Sequence, residues 1–316
     1  MAMVPFKSFS LFPLRGSHLV LYYHRVGDGG AEFYPGGIKS AELLQAIQGL
    51  LELGFRFCSL SEAYGKAGSK KEFTISLTSD DGLASNHEIV LPIAKKYGIP
   101  LTLFVIGKCL DNQALAWNHK LIQIRRHSSE ETLQSALSNL GSRFQISEEG
   151  SLSQRIFSVA DSQKDEFVDL LWDSFCPETQ NEFLQRTQPF LSAAQMQDLQ
   201  DNGAEFALHS HSHADFSRLS YPQILNELRA NQALLADYVR QPVPFFAFPY
   251  GRECKGDLIP KLCRDAGLKA ALGFRYRISD NRRQNALWQR LPLESAHALS
   301  LEQLLLRPLA RVLKPR

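Results

Sequence analysis

Residues 73–106, FTISLTSDDGLASNHEIVLPIAKKYGIPLTLFVI, carry the pattern that decides the fold. Phe73 to Thr78 is a short apolar, β-branched run and reads as a strand. Asp80-Asp81-Gly82 follows it as a turn, and Asn86 to Tyr97 reads as a helix despite Pro92. Gly98-Ile99-Pro100 stops that helix, and Leu101 to Ile106 forms the next strand. A strand, a turn, a helix and a second strand within so few residues predict parallel neighbours with the helix on the outside.

The same alternation extends both ways. Upstream, His18 to Tyr23 reads as a strand, followed by a loop with Gly27, Gly29, Gly30, Gly36 and Gly37 and by a helix from Ser40, a capable cap, to Leu53. Phe55 to Ser59 is a further strand and Ser61 to Lys66 a short helix. Downstream, the predicted helices are Ala194 to Asn202, Tyr221 to Val239 and Leu258 to Ala266. They alternate with strands at Glu205 to Leu208, Pro244 to Phe248, Lys269 to Leu272 and Leu287 to Leu291. Between these halves, residues 111–192 are polar, rich in Gln and Ser, and helical in texture without a convincing strand. The expectation is one α/β barrel spanning 1–316, interrupted by a helical insertion over 111–192.

Composition sets limits. Hydrophobic residues make up 44% of the 316 and charged residues 22%, which supports a packed core and argues against disorder. A net charge of +2, with no Lys/Arg run interleaved with aromatics, gives no nucleic-acid footprint. The five cysteines, at 58, 109, 176, 254 and 263, form no C-x-x-C pair and read as reduced thiols. No stretch resembles a signal peptide or a membrane span, so the expected location is cytoplasmic. The tail over 301–316 mixes leucines with Arg307, Arg311, Lys314 and Arg316 and could rest peripherally on an anionic membrane. Pro308 interrupts it, which favours a helix packed on the barrel.

Four strand ends carry chemistry. Asp80 and Asp81 are adjacent carboxylates that repel unless a cation or proton intervenes, although Asp-Asp-Gly is also an ordinary solvated turn. His209, His211 and His213 lie within five residues after another strand and are hard to place as core, since each needs a polar partner. Two imidazoles and a carboxylate with an open position form the ligand set of a catalytic zinc site. Phe246-Ala247-Phe248-Pro249-Tyr250-Gly251 is a further strand end, readable as a plain Pro/Gly turn. His24 and Arg25 are delivered to the same rim by the first strand, where a lone His is more often structural.

Taken together these segments resemble the polysaccharide deacetylases, the NodB-like carbohydrate esterase family 4. The family's T-F-D-D-G, H-S/T-x-x-H and Pro-Tyr-Gly motifs correspond to Thr78–Gly82, His209–His213 and Pro249–Gly251. Leu21-Tyr22-Tyr23-His24-Arg25-Val26 is similar to the circularly permuted branch that contains poly-N-acetylglucosamine deacetylases.

The resemblance implies a distorted (β/α)7 barrel and hydrolysis of N-acetyl groups on amino sugars of a polysaccharide or glycolipid precursor. It implies a divalent metal, zinc before nickel, cobalt or iron, held by Asp81, His209 and His213. It further implies Asp80 as general base, His24 as general acid, and the Tyr250 backbone N–H in the oxyanion hole. His211 receives no role, and its pairing with His209 stays an alternative ligand set. Removal of a formyl or other small acyl group from a lipid- or nucleotide-linked amino sugar is a second reading, and a catalytically silent carbohydrate-binding relative a third. Two positions depart from the pattern. Ser79 stands where the family has Phe, and Ala247 where many members have Arg; Arg290 resembles the arginine that substitutes in this branch.

Overall fold

The computed structural model describes residues 18–28, 33–34, 36–66, 74–242, 244–274 and 285–293. The strands are β1 (His18–Tyr23), β2 (Arg56–Phe57), β3 (Thr74–Ser79), β4 (Leu101–Val105), β5 (Glu205–Leu208), β6 (Phe245–Ala247), β7 (Ala270–Gly273), β8 (Leu287–Gln289) and β9 (Leu291–Pro292). Every pairing among them is parallel, in the order β8-β7-β6-β5-β4-β3-β1-β9, with β2 on the lower edge of β3.

The two ends of that order are neighbours in sequence, so the sheet curls into a nearly closed barrel. Leu287 to Leu291 is therefore two strands, where one was expected. The chain steps sideways at Arg290, so that β8 pairs with β7 and β9 with β1. Arg290 N–H donates to the Gly273 carbonyl at 3.2 Å and Leu293 N–H to the Tyr22 carbonyl at 2.8 Å, which joins the two edges.

Strand alternation divides the side chains into two sets. One track is Val20, Phe104, Ala207, Phe245, Ala247, Ala270, Leu272 and Trp288, which cluster inside the barrel, with large rings offset by alanines. The other track, including Leu19, Leu21, Ile75, Leu77, Leu103, Phe206, Leu208 and Phe246, packs outward against the helices. Two of the strand hydroxyls are satisfied by neighbouring carbonyls. Thr78 Oγ1 donates to the Leu21 carbonyl and Ser76 Oγ to that of Cys58, each at 2.8 Å.

The outer helices are α1 (Ser40–Glu52), α2 (Leu60–Gly65), α3 (Leu91–Tyr97), α9 (Ala193–Asp201), α10 (Tyr221–Tyr238) and α11 (Ile259–Asp265). The continuous helix expected over Asn86 to Tyr97 is corrected. Asn86–Val90 forms a wide π turn, and α3 starts at Leu91 with Pro92 in its first turn. A proline has no N–H to give to the residue four back, so it is tolerated only where that bond is not required.

Between β4 and α9 the segment 111–192 holds α4 (Trp117–His127), α5 (Glu130–Phe144), α6 (Leu152–Ser158), α7 (Asp161–Phe175) and α8 (Gln180–Thr187). Capping boxes at Ser151/Gln154, Thr179/Glu182 and Ser192/Gln195 start α6, α8 and α9. The apolar faces of this segment form a separate cluster around Leu137, Phe167, Trp172 and Phe183. Among the described residues no helix is long and apolar enough to cross a membrane. The basic tail over 301–316 lies outside the described residues.

Candidate active site

The inward track of each strand, continued by one position, runs to the mouth of the barrel. After Thr78 comes Asp80, after Ala207 comes His209 and after Trp288 comes Arg290, and all three are buried. Alternation would send Asp81 outward. The left-handed backbone at Asp81 (φ 69°) and Gly82 (φ 72°) turns the chain, and Asp81 joins the mouth. Glycine suits position 82, because a Cβ there would lie 3.0 Å from Val105 Cγ1 on a left-handed backbone. Ser210, His213 and Tyr250 also hold positive φ without being glycine. Such conformations persist where surrounding structure enforces them and gather at functional sites.

Asp80 lies in a bidentate ion pair. Arg290 Nη1 donates to Oδ1 at 2.6 Å and Nη2 to Oδ2 at 2.8 Å. The guanidinium is fixed from behind by the rings of Tyr22, 4.5 Å away, and Phe104, 5.3 Å away. Burial raises the Asp80 pKa, but Arg290 and then His209 outweigh it and hold the carboxyl below its ordinary value.

Asp81 is the meeting point of three imidazoles. Its Oδ1 is buried, accepts no hydrogen bond, and lies 3.4 Å from His209 Nε2 and 3.5 Å from His213 Nε2. Its Oδ2 accepts from His119 Nε2 at 3.2 Å. Burial works against its charge, while His119, His209 and His213 hold the carboxyl well below its ordinary value.

The far nitrogens of the two motif histidines are already engaged. His209 Nδ1 donates to the Ala247 carbonyl at 2.8 Å, since a carbonyl only accepts, and its Nε2 faces Asp81. His213 Nδ1 meets the Tyr250 hydroxyl at 2.8 Å. Burial lowers the His213 pKa well below normal, which keeps the ring neutral, and burial with Asp81 raises that of the Tyr250 phenol, which keeps it protonated. One atom each from Asp81, His209 and His213 lie within 4.8 Å of one another. An orphaned carboxylate oxygen facing the Nε2 atoms of two imidazoles fits a divalent cation.

His24 stands half-buried on the same rim, stacked on Tyr34 with ring centroids 5.7 Å apart, and its charge bears on both Asp80 and His213. The third motif imidazole, His211, is not in the cluster. Its ring lies beside Gly107 and its backbone N–H donates to Glu227 at 3.0 Å. Glu227 also accepts from Ser212 N–H and Oγ, and Asn231, one turn along α10, accepts from His209 N–H at 3.0 Å.

Sequence reasoning missed these two loop-holding residues, and it missed His119. Ser79, which stands where the family has Phe, is hydrogen-bonded. Ser79 Oγ accepts from Asn86 Nδ2 at 2.9 Å, and Asn86 Oδ1 accepts from Tyr23 at 2.8 Å, so a buried polar chain fills the place. A cleft of ≈ 350 Å³, lined by Arg25, Phe33, Leu83, Glu88 and Arg186 among others, flanks the Asp80–Gly82 turn.

A parallel barrel with a carboxylate and two imidazoles converging at its C-terminal mouth, beside a second paired carboxylate, defines the architecture of a barrel hydrolase. The polysaccharide deacetylase family model matches residues 67–271, about two thirds of the sequence, and the chain belongs to that family. His24 and Arg290 lie beyond the matched residues, each directly after a strand at the closure of the barrel. A curated relative, YxkH of Bacillus subtilis, named as a polysaccharide deacetylase, is 25% identical over 111 residues, 34% of this chain and 38% of that protein. The match thus spans well under half the length of that relative.

The fold is shared with the Streptococcus pyogenes deacetylase PplD, solved in complex with acetate. The TM-score is 0.58 at 16% identity, over 95% of this chain and 99% of that one. IcaB from Ammonifex degensii gives 0.55 at 18% identity, over 91% and 94%.

Proposed function

We propose that this chain is a metal-dependent hydrolase that removes N-acetyl groups from amino sugars of a polysaccharide or glycolipid precursor. The observation that carries this reading is the convergence of Asp81 Oδ1 with His209 Nε2 and His213 Nε2, within 4.8 Å of one another, next to the guanidinium-paired Asp80. Asp81, His209 and His213 would hold the cation, zinc in first place and nickel, cobalt or iron as alternatives. When bound there, such an ion supplies Lewis-acid activation of water and of the acyl carbonyl.

The remaining work falls to the chain's own groups. Asp80, kept ionised by Arg290, takes the proton of the attacking water as its oxygen bonds to the carbonyl carbon. The Tyr250 N–H hydrogen-bonds the developing oxyanion. His24 gives a proton to the amide nitrogen as the C–N bond breaks, because a neutral amide nitrogen leaves poorly without one. Acetate and a free amino sugar result. In this reading the chain is a single barrel, 1–316, and the segment 111–192 is an insertion in it whose own apolar cluster rests beside the mouth.

The test combines metal analysis with a panel of N-acylated amino sugars, measuring free amine and released acid together. Expected are one divalent ion per chain and acetate release, with both lost in Asp81→Ala and His213→Ala. Formate release instead would move the substrate to a formylated sugar. Metal-free protein, or metal-loaded protein without turnover, would overturn the reading.

A further inference from the structure

The first turn of α4, in the 111–192 segment, reaches two of the residues gathered at the mouth of the barrel. Trp117 Nε1–H donates to the His213 backbone carbonyl at 3.3 Å, and two residues later His119 Nε2 meets Asp81 Oδ2 at 3.2 Å. His119 is wholly buried, with its ring centroid 4.8 Å from that of Phe33 and 5.3 Å from that of Phe190. A polar ring in such surroundings is costly unless its hydrogen bond is made.

We infer that His119 is a positioning residue for Asp81, donating from Nε2 to Oδ2 so that Oδ1 is the oxygen turned toward His209 and His213. The inference rests on the metal-site reading above and adds a residue that the sequence motifs do not contain. A carboxylate oxygen only accepts, so His119 Nε2 must carry the proton of this hydrogen bond. A nitrogen that carries a proton has no lone pair to give a metal, so His119 orients a ligand and is not one itself. Its Nδ1 is buried and has no hydrogen-bond partner among the described residues, so the hydrogen bond to Asp81 is the ring's polar anchor there. With Trp117 held to the His213 carbonyl, one helix braces a ligand from each of two strands, β3 and β5. Asp81 is thereby fixed by the segment least like a barrel, and loss of the brace should loosen the cation.

The test titrates cobalt(II) alone into metal-free protein and follows both affinity and the visible absorption bands. Wild type must first bind one ion. If it does not, the metal-site reading fails, and that failure is separate from the brace. Given binding, His119→Met fills the space but cannot donate, and it should weaken cobalt affinity about 10- to 100-fold, the usual cost of losing a hydrogen bond to a ligand. His119→Gln can donate through its amide and should bind within about threefold of wild type, with unchanged bands. The metal-free melting temperature of each variant reports packing separately.

Equal affinity of His119→Met and wild type overturns the inference, and so does an equal loss in both variants. Should His119→Met not fold, His119→Gln decides alone. Unchanged bands and near-native affinity support a brace, whereas shifted bands mean that a nitrogen ligand was removed and overturn it.

Discussion

The two ends of the barrel each bury histidine, and they treat it in opposite ways. At the lower end His18 is inside the sheet, its Nδ1 hydrogen-bonded to Thr74 Oγ1 at 2.9 Å and its ring 5.5 Å from that of Trp288. Burial, with a smaller push from Arg56, lowers its pKa to about 3, and the ring stays neutral. At the upper end His209, His213 and His119 surround a carboxylate that would be prohibitively costly to bury alone. A buried imidazole is thus structural where it stands alone and chemical where several of them face one charge. Convergence separates the two ends, and burial does not.

The largest effect that sharpens this contrast is Asp80→Asn. Removing the base should lower kcat by about 10²- to 10⁴-fold while cobalt or zinc affinity stays near wild type, measured by turnover and by metal titration. A wild-type rate would remove Asp80 from the chemistry. Next comes Arg290→Met, which leaves the Asp80 carboxylate buried without its counter-charge. Breaking such a pair typically costs about 3–5 kcal/mol, to be read from urea unfolding, and activity should fall with it.

At the other end, His18→Met should leave turnover nearly unchanged and alter acid stability instead. The folded-state pKa of His18 is depressed, so below pH 6.5 the unfolded chain binds a proton that the native one refuses. Wild type therefore loses up to about 1.4 kcal/mol per pH unit from this group between pH 6.5 and about 3, a loss the variant escapes. Unfolding at pH 6.5 and 4.5 compares them, and equal slopes would show that His18 is protonated in the fold. The smallest effect is expected for His211→Gln, less than about twofold in kcat/KM. A large loss there would place the third motif imidazole in the reaction.

Much of this was legible in sequence because it is local. Strand periods set the inward and outward tracks, and the Asp80-Asp81, His209-x-x-x-His213 and Pro249-Tyr250 motifs each sit on a strand tip. Arg290 was legible only through resemblance, since its partner Asp80 is 210 residues away. His119 gave no signal. It lies in a polar helix without a strand end, and its partner is 38 residues back, across α3 and β4. The same holds for Glu227 and Asn231, which look like the polar face of an ordinary amphipathic helix until a loop is laid on them. The split of Leu287 to Leu291 into two strands is also a tertiary result, imposed by two edges that must meet.

That seam has a consequence for biosynthesis. Of the residues gathered at the mouth, Arg290 is made last, and the six residues around it are also the final stitch that joins first strand to seventh. While the ribosome still holds them, the sheet has a loose margin and Asp80 lacks the guanidinium that offsets its burial. The mouth of the nascent chain therefore cannot be completed in instalments: closure of the cylinder and pairing of Asp80 with Arg290 are a single late event.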